Sequence, residues 1–125
     1  MDLFADPAGT MLCVLRAGTR RFRVAASDVV EVVPWPRLTA VPGPRRESRA
    51  TMLGVFLAHD AVVPVFRIDD APAAERAQVV IVRAQLSGQE ILFGIAADEC
   101  TSAGDESAEP LDIFQLASSL RSAAM

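Results

Sequence analysis

Leu53-Gly54-Val55-Phe56-Leu57-Ala58-His59-Asp60-Ala61-Val62-Val63-Pro64-Val65-Phe66 sets two short apolar runs on either side of a His-Asp step. Each run has the length and the β-branched and aromatic content of a strand, and the polar pair between them reads as a water-exposed turn. Pro64 cannot donate to a strand ladder, so it predicts an edge position or a bulge. Similar runs continue in both directions. Upstream, Met11-Leu12-Cys13-Val14-Leu15 and Arg21-Phe22-Arg23-Val24 flank Gly18-Thr19, and the glycine suits the positive φ of a hairpin turn. Downstream stand Val79-Val80-Ile81-Val82 and Glu90-Ile91-Leu92-Phe93-Gly94-Ile95. Short segments of this kind, closely spaced and punctuated by glycine and proline, predict an all-β barrel or sandwich rather than a parallel α/β sheet.

Three segments depart from the pattern. Ser27 or Asp28 is placed to cap one helical turn before Val29-Val30-Glu31-Val32-Val33. From Pro34 to Arg49, Pro34, Pro36, Pro42, Gly43 and Pro44 break regular structure and predict a long surface loop, in which Arg45, Arg46 and Arg49 form a solvated basic cluster. Beyond the small polar stretch from Thr101 to Glu109, Ile113, Leu116, Ala117 and Leu120 recur at helical spacing. They predict a C-terminal amphipathic helix with Pro110 in its first turn, Asp112 near the positive end of its dipole and Arg121 near the negative end.

A chain of 125 residues, 51% hydrophobic and 22% charged, is one folded domain with a real core. We expect residues 1–9 to be a flexible N-terminus and residues 10–122 the single domain. Sixteen acidic residues against 12 basic ones give a net charge of -4, which repels a phosphate backbone and argues against nucleic acid as a partner. The N-terminus lacks the basic and apolar regions of a signal peptide, and no apolar run approaches the roughly 20 residues of a membrane span. A cytoplasmic protein without membrane insertion is the expectation, and in that compartment Cys13 and Cys100 are two free thiols.

The residues of catalysis are scarce. His59 is the one histidine, with no serine elbow or phosphate-binding glycine loop near it, so no enzyme activity and no catalytic residue is expected. Cys13, His59 and Cys100 stand singly, without the close ligand pairs of a structural zinc site, so neither metal nor cofactor is expected. Asp98 and Glu99 beside Cys100 disfavour its thiolate, which makes that cysteine inert. Trp35, between two prolines, fits either an exposed interface anchor or ordinary core.

In order along the chain, Phe22-Arg23-Val24, Val30-Glu31-Val32, Val41-Pro42, Gly54-Val55 and Val63-Pro64-Val65 resemble the motifs of the CheW-like coupling domain of bacterial chemosensory arrays. Val79 to Val82, Gly94-Ile95 and Ala97-Asp98-Glu99 are similar to its later strand pair, and Pro110-Leu111-Asp112-Ile113 to Leu116 to its closing helix. The likeness runs from about residue 10 to about residue 120 and rests on the order of short motifs. It implies a pair of small antiparallel β-barrels with a C-terminal helix, no substrate and no cofactor.

The departures are specific. His59-Asp60 stands where the family has arginine-glycine, Arg67 replaces an aspartate, and the loop from Pro42 to Gly54 is longer than usual. The stretch from Glu99 to Pro110 is too short for the family's last hairpin, so the second barrel is expected to be incomplete, with reduced kinase or receptor coupling. In this it is similar to the second coupling protein of the Frz gliding-motility system. The resemblance implies an adaptor that binds a chemoreceptor cytoplasmic tip, a histidine-kinase regulatory domain or another CheW-like protein. Glu31, Trp35, Val55, Leu57, His59, Val63, Val65 and Arg67 are the expected partner-binding residues. The alternative is a stand-alone protein-binding or oligomerising β-domain outside chemosensory signalling.

Overall fold

In a computed structural model the described residues are 12–40, 46–47, 50–68, 78–102, 108–113 and 115–117. They form ten strands: β1 (Leu12–Ala17), β2 (Arg20–Ala25), β3 (Val29–Val33), β4 (Arg46–Glu47), β5 (Ala50–Ala58), β6 (Ala61–Ile68), β7 (Gln78–Leu86), β8 (Gln89–Ala97), β9 (Glu99–Ser102) and β10 (Glu109–Pro110). Two sheets result, one of four strands in the order β10-β2-β1-β9 and one of six in the order β3-β7-β8-β6-β5-β4. The apolar runs of the sequence are strands, as expected, and Gly18 makes the β1–β2 turn with φ 63°.

The six-stranded sheet carries apolar side chains on both faces. On one, Val80, Val82, Phe93, Ile95, Phe66 and Ile68 pack with Leu15, Ala17 and Phe22 of the four-stranded sheet. Phe66 and Phe93 meet edge to face there, their centroids 6.2 Å apart. On the other face, Val65, Val79 and Ile81 form a second core with Val30, Val33, Leu38, Leu53 and Phe56. This explains why Val79 to Val82 do not alternate with polar residues: successive side chains enter different cores, and all four are fully buried.

The segment after β3 closes the second core. Thr39 N–H donates to Val55 O at 2.8 Å and Val55 N–H to Thr39 O at 2.9 Å, tying the chain that leaves β3 to β5. Gly54 permits the crossing, because a Cβ on it would stand 2.9 Å from Thr39 O and 3.0 Å from Leu38 Cβ. Pro64 fits the register of the β5–β6 hairpin. Val55, its cross-strand partner, spends both backbone hydrogen bonds on Thr39, and the β6–β8 pairing begins one residue later at Val65. β6 is therefore an inner strand and not an edge, and the hairpin's register shift falls on β5 between Met52 and Gly54.

Other expectations are corrected locally. Ala26–Asp28 is a 3₁₀ turn with no side-chain cap, so Ser27 and Asp28 lie inside it. Pro110 belongs to β10, and the helical turn starts later. Asp112 caps it, its Oδ1 accepting the Gln115 N–H at 2.9 Å while Leu116 N–H reaches Asp112 O at 3.2 Å. The chain from Pro34 to Arg49 is not wholly irregular, since it contains the Thr39 bridge and β4. Arg45, Arg49, Leu120, Arg121 and the expected N-terminal tail at 1–9 lie outside the described residues.

Candidate protein-docking site

The β5–β6 hairpin turns in two residues, with Ala58 opposite Ala61 and both His59 (φ 54°) and Asp60 (φ 60°) left-handed. Such a turn fixes register and with it the face of every side chain: Leu57 pairs with Val62, Val55 with Pro64, Phe56 with Val63 and Gly54 with Val65. Phe56, Val63 and Val65 turn toward the closed core, where the two valines have no exposed surface. Leu57 and Val62 turn the other way and are 77% and 61% exposed. They continue the face on which Met52, Phe66 and Ile68 pack against the second sheet, at an end that the described residues of that sheet leave bare.

His59 reaches back across the barrel mouth to β3. Its Nε2 lies 2.7 Å from Glu31 Oε1, and since the carboxylate is the acceptor, Nε2 carries the hydrogen. Val32 and Trp35, on β3 and just beyond it, are 38% and 39% exposed. Arg67 sits opposite Thr51, five residues along β6 from Val62, which is about 17 Å at the rise of a strand. Its Nε is buried and has no acceptor among the described residues.

The expected site residues therefore separate. Glu31 and His59 touch, and Leu57 and Val55 share the outward face of the same hairpin. Trp35 is exposed and not core. Val63 and Val65 are corrected: they are interior residues and offer a partner no surface. Arg67 belongs to the far end of the hairpin. Val62 is absent from the expected set, although the two-residue turn contains the signal: counting outward from His59-Asp60 pairs Leu57 with Val62 and puts Val63 on the opposite face.

Elsewhere the polar groups hold strands together. Asp98 Oδ2 accepts the Gly18 N–H at 2.8 Å, Arg16 approaches Asp98 at 3.5 Å and Glu99 at 3.3 Å, and Arg20 Nε donates to Glu109 at 2.8 Å. Arg23 donates to Ala108 O at 2.7 Å, bracing the return of the chain after β9. Among the described residues, no group of three or more His, Cys, Asp or Glu could hold a metal ion, and no helix is long and apolar enough to cross a membrane.

These two sheets, one curled shut and one open, make the CheW-like β fold. Among solved structures the chain is similar to the scaffolding protein TtCheW from Thermoanaerobacter tengcongensis, with a TM-score of 0.57 and 18% sequence identity over 86% of this chain and 70% of that one. At that identity the likeness is one of fold. No protein-family model matches the sequence, and no curated protein matches it either.

Proposed function

We propose that this protein is a non-enzymatic cytoplasmic adaptor that joins a chemoreceptor tip, a histidine-kinase regulatory domain or another CheW-like protein to a chemosensory pathway. The observation that carries the reading is the bare Leu57–Val62 pair on a fold shared with a scaffolding protein. Isolated exposed apolar residues are ordinary, but here two stand directly opposite each other on a rigid hairpin, flanked by half-buried Val55 and Pro64. Burying such a side chain at a contact contributes roughly 1.5 to 3 kcal/mol, whereas a rim charge acts mostly on association rate.

His59-Asp60 and Arg67 stand where the family has arginine-glycine and an aspartate, while Glu31, which His59 meets, keeps the family's place. The changed charges support a changed partner or reduced coupling, as in the second Frz coupling protein. Leu57→Asp leaves the fold intact because Leu57 is mostly in water, and it abolishes capture of the receptor tip or kinase domain. Arg67→Ala weakens capture a few-fold at most. Titration of both folded variants against purified receptor tips and kinase regulatory domains checks this, and unchanged affinity in Leu57→Asp moves the interface to the segment around Trp35. Absence of binding by the unaltered protein to every chemosensory component favours the stand-alone binding domain.

A further inference from the structure

Cys13 and Cys100 are the only two cysteines of the chain, and the fold brings them to adjacent strands. In the antiparallel β1–β9 ladder, Cys13 is opposite Ser102 and Leu15 is opposite Cys100. Side chains alternate along a strand, so Cys13 shares its face with Leu15, and Leu15 shares that face with its partner Cys100. The cysteines are thus diagonal neighbours on the apolar side of the four-stranded sheet. Cys100 packs at the margin of the core shared by the two sheets, and both cysteines remain partly open to solvent. The two thiols are near enough for Cys13 to act on the Cys100 thiol.

We propose that Cys13 and Cys100 form a reversible dithiol–disulfide pair, closed by a low-molecular-weight disulfide, that staples the last strand of the open sheet to β1. The closing reaction is thiol–disulfide exchange. One protein thiolate attacks the small disulfide, breaking its S–S bond, forming a mixed disulfide and releasing one small thiol. The second protein thiolate then attacks the protein sulfur of that mixed disulfide and releases the other small thiol. One S–S bond is broken and one formed, the two protein protons leave with the released thiols, and the protein is oxidised as the small disulfide is reduced.

Burial first, and then the neighbouring Cys13, push the Cys100 thiol up to about 11, so Cys100 keeps its proton at neutral pH. Attack by the Cys100 thiolate is therefore the slow step, and it quickens as pH rises. Diagonal positions of an antiparallel pair lie about 7–8 Å apart at Cα, and a disulfide spans up to about 6.8 Å, so closure draws the strands together by on the order of an ångström. β9 can yield that distance, because it is four residues long and ends its sheet.

The test is incubation of the reduced protein with graded ratios of reduced to oxidised glutathione, followed by intact-mass and non-reducing peptide analysis. The expected product has lost the mass of two hydrogens, joins the Cys13 peptide to the Cys100 peptide, and melts several degrees higher because the cross-link restricts the unfolded chain. Cys13→Ser and Cys100→Ser, each folded by circular dichroism, are expected to form no internal bond and to take up at most one glutathione. Wild-type protein that accumulates two glutathiones, that links into disulfide dimers, or that stays reduced under strongly oxidising ratios overturns the proposal.

Discussion

The two sheets of this protein solve the same problem in different ways. The six-stranded sheet buries both faces and has its open side bridged by the Thr39–Val55 hydrogen bonds, and at its centre Val79 to Val82 and Phe93 to Ala97 carry no polar side chain. The four-stranded sheet packs one face against it and is laced at its rims by Arg16, Arg20 and Arg23 to acidic side chains and a backbone carbonyl. Closure makes the first sheet intolerant of added volume, because a packed interior has no free space to give. The second sheet depends more on exposed ion pairs, each worth little alone.

The largest expected effect comes from Gly94→Val. A Cβ at Gly94 would stand 2.6 Å from Val79 Cγ1 and 3.3 Å from Val65 Cγ2, both belonging to fully buried residues of the closed core. Overpacking of this kind is destabilising by about 3 kcal/mol or more, and denaturant titration should show loss of cooperative folding or a much lower midpoint. Gly54→Ala comes next, at about 2 kcal/mol, because its Cβ would press on backbone that cannot swing aside and its φ of 154° disfavours a side chain. A Gly54→Ala variant as stable as wild type would mean that the Thr39 crossing does not close the barrel.

In the open sheet the effects are smaller. Alkylation of Cys100 should be slow at pH 8 and speed up about tenfold per pH unit until the thiol titrates at about 11, because only the thiolate reacts. Mass-resolved labelling across that range measures it, and rapid labelling at neutral pH would contradict the burial and the Cys13 contact. Arg16→Ala is the mildest, at about 0.5–1 kcal/mol, since Arg16 and Glu99 are largely in water and Asp98 keeps its Gly18 hydrogen bond. A loss comparable to that of Gly54→Ala would put the open sheet's stability in its charges after all.

Much of this architecture is legible in the amino-acid sequence. The strands at Val79 to Val82 and at Glu90 to Ile95, the Gly18 hairpin and the His59-Asp60 turn follow from β-branched runs and turn chemistry that act over a few residues. Even the pairing of Leu57 with Val62 is implicit in the two-residue turn, and counting register across it puts Val63 and Val65 on the opposite face. The inner place of Pro64, by contrast, depends on register: it lies opposite Val55, whose backbone bonds go to Thr39, and one residue before the β6–β8 pairing begins, which no local pattern announces.

By itself, then, the sequence determined an all-β domain, its hairpins and the order of motifs that resembles a CheW-like domain. Only the tertiary structure decided which apolar residues are bare, that Glu31 meets His59, and that Cys13 lies beside Cys100. The reason is physical: turn and strand preferences are properties of neighbouring residues, whereas exposure and long-range contact depend on which sheet edges meet. Strands β1 and β9 come from opposite ends of the chain, and nothing in either segment alone specifies the other.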